Sequence, residues 1–92
     1  MSDFLHIYIV PKQGINRDQV EKKMNLAVDW FRYDDKCWIV FTTSDVKKWY
    51  ARLMPLIRPG GNILICRIDS SSYFGWMSKT LWEWMTKNKE RM

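Results

Sequence analysis

Apolar positions along this chain switch between a strand rhythm and a helical one. Phe4 to Val10, FLHIYIV, is rich in β-branched and aromatic residues and stops at Pro11 and Gly14, the composition of a strand followed by a turn. The next stretch, INRDQVEKKMNLAV, keeps Val20, Met24, Ala27 and Val28 on one helical face and Arg17, Glu21, Lys22 and Lys23 off it. Asn16 and Gln19 have the spacing of a capping box, and Ile15 is placed to staple onto Val20, so a first helix is expected. Trp30 to Tyr33 and Cys37 to Thr43, joined by Asp34-Asp35-Lys36, read as a β-hairpin. Thr43, Ser44 and Asp45 offer N-cap chemistry for a second helix from about Asp45 to Met54. Val46, Trp49, Tyr50, Leu53 and Ile57 share its face, and Pro55 ends or kinks it. Pro59-Gly60-Gly61-Asn62 is a turn that launches a last strand, Ile63 to Ile68. After the linker Ser70 to Ser72, Met77, Leu81, Trp84 and Met85 fall on one stripe of a third helix, about Ser78 to Asn88.

The order β-α-β-β-α-β predicts an α+β fold of the ferredoxin-like sandwich kind with a C-terminal third helix, in one domain over residues 1–92. The expected strand order is 4-1-3-2, with both crossover helices on one sheet face. The runs CWIVF and ILIC are apolar at successive positions, so both faces of the sheet should be at least partly covered. If Leu5, Ile7 and Ile9 lie under the helices, Phe4, His6, Tyr8 and Val10 face the other way, beside Ile63, Ile65 and Arg67. Such a face needs the third helix, a second copy of the chain, or both as cover, and a homodimer is expected.

Composition narrows the function. A content of 47% hydrophobic and 27% charged residues is that of a folded protein. A net charge of +5 favours a nucleic acid, a nucleotide or another anionic partner, with Lys47, Lys48, Arg52, Arg58 and Arg67 as candidate contacts. Cys37 and Cys66 sit inside apolar runs and read as buried free thiols. No leader pattern is visible and no run approaches the roughly 20 apolar residues of a membrane span, so a cytoplasmic protein without membrane contact is expected.

Catalytic sets are hard to assemble. His6 is the one histidine, which excludes a His-pair phosphodiesterase or a multi-histidine metal site within one chain. It reads as a hydrogen-bonded sheet residue near a dimer seam, or, more sharply, as an acid-base or phosphate contact beside Tyr8 and Arg67. Neither cysteine has an assignable base, and Asp34-Asp35 belongs to a turn. The glycines of RPGGN precede a strand, whereas a phosphate-cradling loop precedes a helix. No catalytic residue, metal or cofactor is assigned. His6, Tyr8, Trp38 or Phe41, and Arg67 could form a base-stacking sheet face, and Trp76 and Trp82, off the third helix's stripe or at its margin, are further candidate ligand contacts.

The segments DWFRYDDKCWIVFTTSDVKKWYARLMPLI, GNILICRID and FGWMSKTLWEWM carry a resemblance to a known family. The chain resembles the small SinR-like proteins, distant relatives of the CRISPR-associated adaptation scaffold nuclease and of VapD-type toxins. The resemblance implies a ferredoxin-like fold that pairs as a dimer and, for most members, no assigned activity. The nuclease relatives have a Tyr-Asp at the end of the first strand, where this chain has YIVPKQG and no carboxylate between Phe4 and Asn16. The expectation is therefore a non-enzymatic binding protein for nucleic acid, a nucleotide signal or a nucleic-acid-bearing defence complex. A phage-type inhibitor or sequestering protein would suit the same size and charge. The alternatives are a metal-independent ribonuclease of the VapD kind and a pure protein-protein module.

Overall fold

The computed structural model describes residues 1–92. The chain runs β1 (Asp3–Val10), α1 (Arg17–Met24), β2 (Asp29–Asp34), β3 (Cys37–Thr42), α2 (Val46–Leu53), a 3-10 turn (Met54–Leu56), β4 (Asn62–Ile68) and α3 (Lys79–Lys89). The fold is α+β, with one open antiparallel sheet in the order β2-β3-β1-β4. No helix is long and apolar enough to cross a membrane.

One register sorts the whole sheet. Phe4 opposes Phe41 and Ile68, and Ile7 opposes Trp38 and Ile65, so each set of partners shares a face. On one side Leu5, Ile7, Ile9, Trp38 and Val40 pack against Val20 and Met24 of α1 and Trp49 and Leu53 of α2. On the other, Phe4, Ile39 and Phe41 lie beneath Leu81, Trp84 and Met85 of α3. The unbroken apolar run of β3 follows from this double cover, and Trp38 to Thr42 are all buried.

The same register corrects the expected neighbours of His6 and Tyr8. Ile63 opposes Ile9, Ile65 opposes Ile7 and Arg67 opposes Leu5, which turns all three toward the α1-α2 side. Leu64 and Cys66 are the residues opposite Tyr8 and His6. Both parities of ILIC are apolar, so the pattern by itself does not choose between registers one residue apart.

Local capping follows the side chains. Asn16 and Gln19 close the capping box of α1, and the Asp45 carboxylate accepts from the Lys48 N–H at 2.9 Å to start α2. The helix expected as far as Val28 ends at Met24. Leu26 and Ala27 bond back to Lys23 and Met24, and the Val28 N–H donates to the Phe41 carbonyl at 2.8 Å, so sheet pairing outcompetes a further turn and leaves Val28 exposed. In α2 the core takes Trp49 and Leu53, while Val46 and Tyr50, expected on the same face, sit at the exposed margin toward β4. Before β4, Gly61 passes so close to β1 that a Cβ there would lie 2.4 Å from the Val10 carbonyl oxygen.

Candidate functional site

The expected cations collect on the α2-β4 flank and only in part on one surface. Lys47 lines an open hollow of about 550 Å³ with Val46, Tyr50, Ile63, Leu64 and Ile65. Its floor includes an edge strand, and the Tyr50 ring beside Lys47 is 44% exposed. Arg67 lies farther along the same side of β4 and is exposed, as are Lys48, the next residue of α2, and Arg58 beyond the 3-10 turn. Arg52 stands apart: it is half-buried, with its guanidinium 5.0 Å from the Trp49 ring centroid, and acts as packing.

These residues carry charge that no ion pair cancels, as do Lys12, Lys22, Lys23, Lys36, Lys89 and Arg91 elsewhere on the chain. The ion pairs of the molecule are Arg17–Glu21, Arg32–Asp35, Lys79–Glu83 and Lys87–Asp29, so none of Lys47, Lys48, Arg52, Arg58 and Arg67 is neutralised by a carboxylate contact. The nearest acid to Arg67 in the chain, Asp69, is held below the usual carboxylate range by the Ser71 hydroxyl and N–H, with a smaller contribution from the Arg67 charge.

His6 and Tyr8 are on a different surface, the part of the sheet face that α3 leaves open. His6 Nε2 lies 2.5 Å from the Tyr33 hydroxyl across β3. Burial lowers the imidazole pKa, and burial first, then the Cys37 thiol and the Asp34 charge, push the Tyr33 hydroxyl up to about 12. Both groups are neutral at pH 7, so one hydrogen bond joins Nε2 and the Tyr33 hydroxyl, its direction set by the imidazole tautomer. Arg67, expected beside this contact, points to the other face of the sheet.

The expected stacking surface is broken up by the same geometry. Trp38 is buried on the α1-α2 side, with its ring centroid 4.9 Å from that of Trp30, and Phe41 is buried under α3, which leaves only His6 and Tyr8 on the open face. Cys66, expected in the core, is exposed on the edge strand β4, where α3 packs against Ile68 but leaves Cys66 uncovered, while Cys37 is half-buried. No group of three or more His, Cys, Asp or Glu side chains is close enough together to hold a metal ion.

The two tryptophans at the C-terminal end divide. Trp82 is half-buried and stacks on Tyr73, with centroids 6.1 Å apart and planes 10° apart. Trp76 stands in the connector between β4 and α3 and is 99% exposed. Met77, expected on the buried stripe, precedes the Ser78 N-cap and stays at the surface. Three participants escaped the sequence reading: Tyr33 as the partner of His6, Phe74 as a second fully exposed ring, and buried Asn88. Only Asn88 left a signal, since it continues the spacing of Leu81, Trp84 and Met85. Comparison of the chain with family models, with curated proteins and with solved structures finds no match.

Proposed function

We propose that the protein is a non-catalytic binding module on a ferredoxin-like frame that engages single-stranded nucleic acid along the α2-β4 flank. The observation that carries this reading is the set of exposed cations, Lys47, Lys48, Arg58 and Arg67, outside every ion pair while an exposed aromatic ring, Tyr50, lies beside Lys47. Backbone-tracking cations next to a ring available for stacking are the features that sequence-tolerant single-strand binding requires. The element order and the resemblance to SinR-like proteins support the frame, and the absence of a carboxylate in the YIVPKQG segment supports a binding role over metal-dependent cleavage.

Fluorescence anisotropy with labelled single-stranded RNA and DNA at low salt tests the reading. Binding by the wild-type protein that the double reversal Lys47→Glu/Arg67→Glu abolishes is the expected outcome. No binding at low salt, where phosphate contacts are strongest, would sink it and leave the protein-protein module. Incubating the same RNA with magnesium and with EDTA covers the ribonuclease alternative: cleavage that disappears in His6→Ala overturns the non-catalytic assignment.

A further inference from the structure

β4 is an edge strand, paired with β1 on one side and with no strand on the other. In an antiparallel pair, residues whose N–H and C=O both bond to the neighbour alternate with residues whose N–H and C=O both point away. The β1-β4 register runs without a bulge from Asn62 to Ile68, so the alternation is unbroken. Among Ile63, Leu64 and Ile65, the outward groups therefore belong either to Leu64 or to both isoleucines. No backbone group of these three residues bonds to the main chain outside the β1 ladder. At least one N–H and one C=O there are thus without a main-chain partner.

The same three residues wall the hollow of about 550 Å³ that Val46, Lys47 and Tyr50 close from α2. An apolar cavity of ~150 Å³ already accepts a benzene-sized ring, so a larger planar group has room here. The Lys47 ammonium and the Tyr50 hydroxyl are the only polar side-chain groups of the walls, which leaves the free main chain of β4 to match a donor and an acceptor set side by side. We infer, on the reading of this flank as a single-strand surface, that the hollow takes one unpaired nucleobase, stacked on Tyr50 with its Watson–Crick edge on the free N–H and C=O of β4.

Every base carries a donor next to an acceptor on that edge, the complement of a main-chain N–H and C=O, and the edge is free only while the base is unpaired. A duplex offers neither the edge nor the ring face. Charge fits the same ligand. Arg67 follows Ile65 by two residues on the same side of β4, about 7 Å at ~3.4 Å per residue, and Lys47 stands in the wall itself, so a phosphate attached to the seated base has a cation within reach. A peptide strand added along β4 would use the same N–H and C=O groups. Its backbone carries no charge, however, and would leave Lys47 and Arg67 without a counter-charge.

Fluorescence anisotropy at low salt, with a short labelled strand of abasic sites that carries one central base, reads the recognition. Adenine at that position is expected to bind about 10-fold or more tightly than no base, the effect of one stacked ring. Adenine dimethylated at its amino group keeps the ring and the charge but blocks the edge, and is expected to bind about 5-fold or more weakly than adenine. Tyr50→Ser is expected to remove most of the advantage of adenine and to leave the affinity of the all-abasic strand unchanged. Its circular dichroism spectrum should match that of the wild type, since the ring lies at the surface. Equal affinity for adenine and dimethylated adenine overturns the inference while the flank remains a single-strand surface. No strand bound at low salt overturns both and assigns the free edge to an added peptide strand.

Discussion

Asn88 is fully buried, and its amide nitrogen donates to Asp29 Oδ2 at 3.1 Å and to the Trp84 carbonyl at 3.1 Å. Its oxygen accepts from Arg91 at 3.0 Å, and Lys87 Nζ lies 3.3 Å from the same Asp29 oxygen. One side chain thus ties the last turns of α3 to the start of β2. Burial raises the Asp29 pKa, but hydrogen bonds from Asn88, Lys87 and the Trp30 N–H, with the Lys87 charge, outweigh it and hold the carboxyl below its ordinary value. A depressed folded-state pKa means that the unfolded chain takes up the proton first. The stabilisation is therefore present above the ordinary aspartate value, ~3.9, and is lost as pH falls through the lower folded-state value. Urea unfolding should show Asn88→Ala less stable than wild type by about 1–3 kcal/mol at neutral pH, the cost of buried partners left unpaired. Asp29→Asn should lose less stability than wild type between about pH 5 and pH 3. Equal acid sensitivity in the two proteins would refute this account.

At the scale of elements, α3 is a cover and β4 an open edge. The N-cap Ser78 starts α3, whose hydroxyl accepts from the Leu81 N–H at 3.3 Å, and the stripe Leu81, Trp84, Met85 then closes over Phe4, Ile39 and Phe41. Phe4 and Phe31 both approach the Trp84 ring, with centroids at 5.8 Å in each case. A stacking platform would keep those rings wet, so the helix occupies the surface that a nucleic-acid-binding sheet face would need. Leu81→Ala is expected to cost about 2–5 kcal/mol in denaturant unfolding, the range for a buried leucine whose cavity does not collapse. Thr86→Ala, on the exposed side of the helix, should change stability by no more than about 0.5 kcal/mol. A similar effect at both positions would mean that α3 is not packed through this stripe.

For the whole molecule, the sheet separates two kinds of surface. The α2-β4 flank carries cations outside any ion pair, while the α3 side carries exposed rings beside an apolar hollow. Charge at +5 acts at long range and raises the rate of encounter with polyanions, whereas the aromatic patch acts only in contact. If Lys47, Lys48 and Arg67 each neutralise one phosphate of a single strand, log K should fall with log salt at a slope of about −2, given about −0.7 per phosphate. Lys47→Glu should reduce that slope, and Trp76→Ser should not change the slope per chain. A slope near zero would show that the binding does not run through phosphates.

Local pattern determined the order of elements, the capping box at Asn16 and Gln19, and the buried faces Leu5-Ile7-Ile9 and Leu81-Trp84-Met85, because each depends on residues near in the chain and on periods that the side chains display. Tertiary structure decided what depends on register and cover. Pairing of β4 with β1 turned Arg67 away from His6 and exposed Cys66, pairing with β3 drew Val28 out of α1, and α3 buried Phe41 while leaving Trp76 free. The composition ILIC is compatible with either face outward, and an aromatic residue looks the same in sequence whether another element reaches it or not. The C-terminal aromatic segment therefore divides at Ser78: the helix seals the sheet, and the connector before it carries the surface that remains to be covered.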